Sequence, residues 1–314
     1  MNRKLNKSST GLYDPSKSSC SCGVGFITRK DGVRTHDILQ MGHEAMCSVP
    51  HRGGMSSRGV GDGAGISIDL SPEFFSKLTG RELKAGDFGV GNFFLNEKIA
   101  AKSSVLIEEK LLSHGFDIIK KRFMKVNDSI LRKDAIDQQY PICQWIFDIP
   151  DDLSEKEKAK RIHQVLIEIE SVAFVDEQFD GLYPLSLSSH TQVFKGRLNS
   201  WEIMPYFSDL NDHDHKVHTL YFHTRFSTNT DPHPSMAQPF RLMAHNGELN
   251  TDKKNRLNEA ALARARERTI YRPKGQSDSC RLDQTLSSRV YDDDVDLVTA
   301  VVAMMPPAWE NDLN

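Results

Sequence analysis

The sequence lacks the long hydrophobic runs and the excess of one charge that would assign it to a membrane or nucleic-acid-binding class. No apolar stretch among its 314 residues approaches the roughly 20 residues that span a bilayer. The net charge of -3 gives no indication of binding to nucleic acid or to an anionic membrane surface. With 38% hydrophobic residues, the chain can bury a sizeable core as one large domain or two small ones.

Cysteine is scarce, and its spacing is not that of a disulfide framework. The cysteines are Cys20, Cys22, Cys47, Cys143 and Cys280. They are odd in number and scattered, which favours a reducing compartment. Cys20 and Cys22 are too close for the usual metal-ligand spacing, and no second pair completes a zinc or iron–sulfur site. We therefore predict no metal site in this chain and a cytoplasmic location, or an organellar one if the N-terminus is a transit peptide.

The first 21 residues differ in composition from the rest of the chain. The stretch from Met1 to Ser21 is polar, rich in serine and lysine, and lacks the apolar core of a secretory signal. Leu12-Tyr13-Asp14-Pro15 favours a short ordered pro-segment, with a transit peptide as the alternative. We expect removal of residues 1–21 on maturation and a single domain over 22–314.

Cys22 stands at the start of a predicted buried strand, Cys22-Gly23-Val24-Gly25-Phe26-Ile27, whose glycines allow close approach of another group. A thiol with a pKa near about 8.5 needs help at neutral pH, and an α-amino group with a pKa of about 7.7–8.0 can provide it. If residues 1–21 are removed, Cys22 carries its own base, as N-terminal threonine nucleophiles do. On this stretch alone, a small apolar strand residue is the simpler interpretation.

Apolar periodicity predicts helices and strands in succession, which indicates layered packing of helices around sheets. The predicted helices cover 35–49, 97–113 and 151–170. The predicted strands cover 66–70, 88–95, 116–126, 140–149 and 217–224, and 185–189 with 191–194 form two short strands or one bent strand. Asp31-Gly32 is typical of a hairpin turn. His213 and His215 have metal-ligand chemistry, but their polar neighbours favour a solvated loop. The glycine-rich loop 59–65 lacks the GK[ST] ending of a phosphate-binding loop, which favours a tight turn.

Three downstream segments hold groups that suit a small zwitterionic amide. Arg225 has a planar fork that matches a carboxylate. Asn246 has a side-chain NH₂ and Gly247 a backbone N–H, which together can form an oxyanion hole. Asp278 can accept hydrogen bonds from an ammonium group. Taken singly, each segment has a structural interpretation: a salt-bridge arginine, an Asn-Gly turn and a helix-capping aspartate.

Taken together, these segments resemble one enzyme family. The matching motifs are Cys22-Gly23-Val24-Gly25-Phe26, His51-Arg52-Gly53, Gly61-Asp62-Gly63-Ala64-Gly65, Ser186-Leu187-Ser188-Ser189, Arg225-Phe226-Ser227-Thr228-Asn229-Thr230, Ala237-Gln238-Pro239-Phe240-Arg241, Ala244-His245-Asn246-Gly247-Glu248, Ser277-Asp278-Ser279 and Met304-Met305-Pro306-Pro307-Ala308-Trp309-Glu310. They resemble the N-terminal glutaminase domain of glutamate synthases, a class II glutamine amidotransferase domain. The resemblance implies an α+β fold, the N-terminal-nucleophile hydrolase αββα sandwich of two antiparallel sheets between helix layers.

The resemblance also implies a reaction and its residues. Cys22, freed by processing, would attack the carboxamide of L-glutamine and release glutamate and ammonia through a glutamyl thioester. Asn246 and Gly247 would stabilise the tetrahedral intermediate. The implied catalytic residues are Cys22, Asn246 and Gly247, and the implied substrate-binding residues are Arg225, Asp278 and Arg52. Arg225 would hold the α-carboxylate and Asp278 the α-ammonium, and Arg52 would help to position the nucleophile.

The implied partner is a glutamate synthase domain or subunit that carries FMN and an iron–sulfur cluster and aminates 2-oxoglutarate with the ammonia. No cofactor is expected in this chain. The sequence departs from the family in Asp252-Lys253-Lys254-Asn255-Arg256, where an Arg-Gly-Asn-Arg segment is expected. The resemblance also implies a domain that is C-terminally incomplete relative to the family. Two alternatives stay open: an inactive regulatory or interaction subunit, and a glutaminase subunit of a different ammonia-using synthase.

Overall fold

Two antiparallel sheets of four strands each lie at the centre of the part of the chain that the structure describes. The structure is a computed structural model, and it describes residues 23–50, 53–225, 236–246, 251–270 and 277–305. The strands are β1 (Val24–Thr28), β2 (Ala64–Asp69), β3 (Phe88–Phe94), β4 (Ile118–Phe123), β5 (Ile142–Asp148), β6 (Tyr183–Ser188), β7 (Thr191–Gly196) and β8 (Thr219–His223). The first sheet has the order β1-β8-β2-β7 and the second the order β4-β5-β3-β6.

Helices cover the outer faces of both sheets. The α-helices are α1 (Asp37–Ser48), α2 (Pro72–Thr79), α3 (Ala100–Ser113), α4 (Lys133–Ile136), α5 (Glu155–Val175), α6 (Ile203–Tyr206), α7 (Asp252–Ala265), α8 (Asp278–Ser287) and α9 (Leu297–Met304). On α1, Leu39 packs in one core cluster with Ile66 of the first sheet. On α5, Val165 packs in a second cluster with Trp145 of the second sheet. None of these helices is both long and apolar enough to cross a bilayer.

Buried polar contacts join the two sheets to each other. The amide of Asn92 in β3 donates to the carbonyl of Val193 in β7 at 3.1 Å. The amide of Gln144 in β5 donates to the side-chain oxygen of Gln192 in β7 at 3.3 Å. The order of layers is therefore helix, sheet, sheet, helix. This confirms the predicted α+β class and the N-terminal-nucleophile hydrolase type of sandwich.

Local sequence signals account for many of the element boundaries. Helix α5 begins after a capping box, in which Ser154 and Glu157 each satisfy the other's backbone N–H. Helix α2 follows the cap Ser71 with a proline at its first position, and it ends at Gly80, which has φ +73°. These boundaries follow from capping chemistry, which acts within a few residues.

The predicted hairpin at Asp31-Gly32 is wrong, although a turn does form there. Gly32 has φ +69° and its N–H donates to the carbonyl of Arg29 at 3.1 Å. The chain then enters α1, and β1 pairs with β8 instead, with Thr28 opposite Thr219, 191 residues away. A turn signal reports the local backbone and does not select the partner strand.

The predicted solvated loop at His213 and His215 holds for His213 only. His213 is exposed, whereas His215 is completely buried and stacks on the ring of Phe74 at 4.3 Å. The Nδ1–H of His215 donates to the carbonyl of Asp209 at 3.0 Å, and its Nε2 accepts from the amide of Gln192 at 3.2 Å. His215 is therefore a hydrogen-bonded core residue. Within the described ranges, no three His, Cys, Asp or Glu side chains form a group that could hold a metal ion.

His215 makes the fold sensitive to acid. Burial lowers the pKa of His215 to about 4, whereas an unfolded histidine has a pKa of about 6.5. Between these values only the unfolded chain gains the proton, so the free energy of unfolding falls as the pH decreases. We expect His215→Phe to lower this free energy by about 1–3 kcal/mol at pH 7, because two polar groups lose their partner. The variant should also lose less stability than the wild type between pH 6.5 and pH 4.

Urea unfolding at several pH values measures both effects. His213→Asn is the matched control, since an exposed site two residues away should change the stability by less than about 0.5 kcal/mol. An equal acid slope in the wild type and His215→Phe would contradict the assignment.

Candidate functional site

The end of β8 lies against the start of β1. His223 is paired with Val24, and the N–H of Thr224 donates to the carbonyl of Gly23 at 2.7 Å. Arg225 follows Thr224 directly. The predicted carboxylate-binding residue therefore lies close to the start of β1, and β1 begins two residues after the predicted nucleophile. Cys22 itself is outside the described residues, and its position stays a prediction.

Gly53, the last residue of the predicted motif His51-Arg52-Gly53, lies close to the end of β8. A Cβ atom on Gly53 would lie 3.2 Å from the carbonyl oxygen of Thr224, closer than most side chains allow. The glycine therefore permits this backbone to approach the end of β8. Arg52, which precedes it, is outside the described residues, so its role as a positioning residue stays a prediction.

Three residues that lie side by side on neighbouring strands of the first sheet contact the segment 236–246, which ends at Asn246. These residues are Lys195 on β7, Gly65 on β2 and His223 on β8. Lys195 Nζ donates to the carbonyl of Ala237 at 3.0 Å, and His223 Nε2 lies 3.0 Å from the carbonyl of His245. Between them, a Cβ atom on Gly65 would lie 2.8 Å from the carbonyl oxygen of Gln238.

The side chain of Gln238 forms a hydrogen bond within this segment. Its Oε1 accepts from the backbone N–H of His245 at 2.8 Å. Asn246 comes next and is exposed, as a group that meets a substrate needs to be. Gly247, the second predicted oxyanion donor, is outside the described residues, and that prediction is untested.

Helix α8 brings Asp278 to the same region. Ser277 is the residue that caps this helix, since its side chain accepts from the N–H of Cys280 at 3.1 Å. Asp278 is the first helical residue, so the interpretation of Asp278 as the capping residue is wrong. Asp278 Oδ1 accepts from the N–H of Ser279 at 2.7 Å. His245 Nε2 lies 2.6 Å from Ser279 Oγ, which links Asp278 to the segment before Asn246.

A buried amine lies beneath the segment 236–246. Lys195 is 1% exposed and lies over the rings of Tyr183 and Phe240, at 5.4 and 5.2 Å. Burial lowers the pKa of Lys195 to about 8, while the nearby Cys280 and Asp283 act in the opposite direction. Asp283 in turn accepts from the N–H of Leu242 at 2.9 Å. Charged and polar groups therefore hold this segment between β7 and α8.

The structure thus connects the three predicted site residues that it describes. The backbone N–H of Arg225 donates to Nδ1 of His223. Asn246 directly follows His245, and Asp278 directly precedes Ser279. His245 is hydrogen-bonded to both His223 and Ser279. His245 and Ser279 lie inside the matching motifs and His223 lies two residues before one, and the sequence analysis assigned none of the three a role. Their position beside the predicted site residues was the available signal. Lys195 was missed as well, and its signal was a lysine in the apolar strand Val193-Phe194-Lys195.

Comparison with known proteins places the chain in a family. The family model described as "Glutamine amidotransferases class-II" matches residues 22–314. The chain is 30% identical, over 97% of its length, to glutamate synthase [NADH] of Saccharomyces cerevisiae. It is 32% and 33% identical to the glutamate synthase [NADPH] large chains of Azospirillum brasilense and Bacillus subtilis, over 77% and 78% of its length. The chain spans only 15% to 16% of the length of these relatives.

Proposed function

Since this chain belongs to the class-II glutamine amidotransferases, we propose that it hydrolyses L-glutamine to glutamate and ammonia through a glutamyl thioester on Cys22. The observation that carries the proposal is the hydrogen-bonded connection between the Arg225, Asn246 and Asp278 segments at the end of β8. These three residues offer partners for the carboxylate, the carboxamide oxygen and the ammonium of one glutamine molecule.

The proposed reaction has two steps. The Cys22 thiolate attacks the carboxamide carbon, while the α-amino group of Cys22 takes the thiol proton and passes it to the departing nitrogen. Ammonia leaves and the glutamyl thioester remains, and water then hydrolyses it to glutamate. Asn246 and Gly247 donate hydrogen bonds to the oxygen that becomes negative in each step.

Arg225 and Asp278 act on the part of glutamine that does not react. A guanidinium makes two parallel hydrogen bonds with a carboxylate, which fixes both the position and the rotation of the substrate. Asp278 accepts from the α-ammonium, with its carboxylate oriented by the N–H of Ser279. Together these contacts favour amino-acid amides with free α-groups over other amides.

We propose that the ammonia is passed to a glutamate synthase centre that aminates 2-oxoglutarate. The glutamate synthases among the relatives support this destination. FMN and an iron–sulfur cluster would belong to that synthase domain or subunit. Among the described cysteines, Cys47 is exposed while Cys143 and Cys280 are buried, and they do not lie together as a ligand set.

Kinetics of two variants test the proposed roles. Asn246→Ala should lower kcat by about 10²–10³, because Asn246 interacts mainly with charge that develops in the transition state. Arg225→Ala should chiefly raise KM, because the carboxylate is held equally before and during the reaction. Steady-state glutaminase assays on the purified natural protein measure both parameters.

Two further variants serve as controls. Arg225→Lys should recover little, since an ammonium cannot reproduce a two-pronged contact. Arg29→Ala should change neither parameter, since Arg29 forms a surface ion pair with Asp31 at 2.7 Å. A rise in KM alone for Asn246→Ala, or an unchanged KM for Arg225→Ala, would show these roles to be wrong.

A further inference from the structure

His223 occupies the junction of the predicted site. It is the last residue of β8, is 2% exposed, and pairs with Val24 on one side and Gly65 on the other. The N–H of Thr224, the next residue, is bonded to the carbonyl of Gly23. His223 is thus held rigidly to the strand that begins next to Cys22.

The two ring nitrogens of His223 contact two different segments. Nδ1 lies 3.2 Å from the backbone nitrogen of Arg225, and Nε2 lies 3.0 Å from the backbone carbonyl of His245. A backbone N–H can only donate and a carbonyl can only accept, so Nδ1 is the acceptor and Nε2 carries the hydrogen. Burial lowers the pKa of His223 to about 4, which keeps this neutral form at neutral pH.

We infer that His223 is a positioning residue for glutamine hydrolysis, which joins the backbone of Arg225 to the backbone of His245. The inference rests on the proposed function. Through Nδ1, His223 places the arginine that holds the substrate carboxylate. Through Nε2, it places the residue that immediately precedes the oxyanion donor Asn246.

Other contacts support the same segment without reaching Arg225. Lys195 bonds to Ala237, and Gln238 bonds to the N–H of His245. The two bonds of His223 therefore have separable consequences. Loss of the Nδ1 bond loosens Arg225 and weakens substrate binding, whereas loss of the Nε2 bond loosens Asn246 and slows the chemical step.

Two conservative variants separate these consequences. Asparagine places an amide oxygen near the position of Nδ1 but is too short to reach His245. Glutamine places an amide NH₂ near the position of Nε2 but offers no acceptor near Nδ1. We expect His223→Asn to lower kcat about tenfold with KM nearly unchanged, and His223→Gln to raise KM about tenfold with kcat nearly unchanged. His223→Phe should combine both losses.

Steady-state glutaminase kinetics on the purified natural protein, with thermal unfolding of each variant, test the inference. His218→Gln is the matched control, because His218 precedes the opposite end of β8 and pairs with Asp69 at 2.7 Å. It should leave kcat and KM unchanged. Equal changes of kcat and KM in His223→Asn and His223→Gln, or no change in either, would overturn the inference.

If His223→Asn unfolds at a much lower temperature than the wild type, a double-mutant cycle of His223 and Arg225 tests the inference instead. In an Arg225→Ala background, His223→Gln should raise KM little further, because both changes remove the same contact with the substrate. A full additional tenfold rise would overturn the inference. Failure of the wild type to hydrolyse glutamine would instead refute the proposed function itself, and the two failures are therefore distinguishable.

Discussion

Replacing Cys22 by serine is expected to abolish glutamine hydrolysis. A thiol ionises near a pKa of about 8.5, and its thiolate is far more nucleophilic than a hydroxyl. Serine at position 22 would keep the size of the side chain and the free α-amino group, but it would lose the nucleophile. We expect kcat to fall by several orders of magnitude, with substrate binding by Arg225 and Asp278 retained. A continuous assay of glutamate release measures the first effect and equilibrium binding of glutamine the second.

The other cysteines provide matched controls for this prediction. Cys20→Ser and Cys47→Ser should both keep wild-type activity. Cys47 lies on α1 and is exposed as a residue, but partial burial of its thiol raises the pKa of that thiol, which does not favour a reactive thiolate. A glutamine analogue that alkylates thiols should label Cys22 alone, as read by peptide mass mapping. Labelling of Cys20, Cys47 or Cys280 in its place would contradict the assignment.

Retention of residues 1–21 is expected to abolish activity as well. In the unprocessed chain the nitrogen of Cys22 is an amide, which is neither basic nor able to carry the proton. A matched pair of proteins tests this expectation. One begins at Cys22, and the other begins at Met1 and carries Ser21→Pro to hinder cleavage, with its intact mass verified. The first should hydrolyse glutamine and the second should not.

The processing experiment also separates the alternative functions. If N-terminal sequencing shows that the natural protein begins at Cys22, the result would support the enzymatic function. A retained pro-segment would support an inactive regulatory or interaction subunit. Robust glutaminase activity in the uncleaved Ser21→Pro protein would refute the N-terminal-nucleophile mechanism.

Elements set by local signals were predictable from the sequence. The predictions for 88–95 and 140–149 agree closely with β3 (Phe88–Phe94) and β5 (Ile142–Asp148). Both are apolar runs bounded by polar or turn-forming residues, and periodicity reports such runs directly. The motifs around Arg225, Asn246 and Asp278 were recognisable for the same reason, because each lies within a few consecutive residues.

The tertiary structure alone decided which of these pieces meet. Strands β6 and β7 are neighbours in the sequence but belong to different sheets, while β1 finds its partner in β8 far downstream. His215 was misjudged because its neighbours in the sequence are polar, whereas its neighbours in space include Phe74 and Gln192. His223 acquires its proposed role only when folding brings His245 to its Nε2. Burial and hydrogen-bond partners depend on contacts between distant segments, and no local pattern encodes them. The sequence by itself thus determined the fold class and the chemical groups of the site, and the tertiary structure determined how those groups are held.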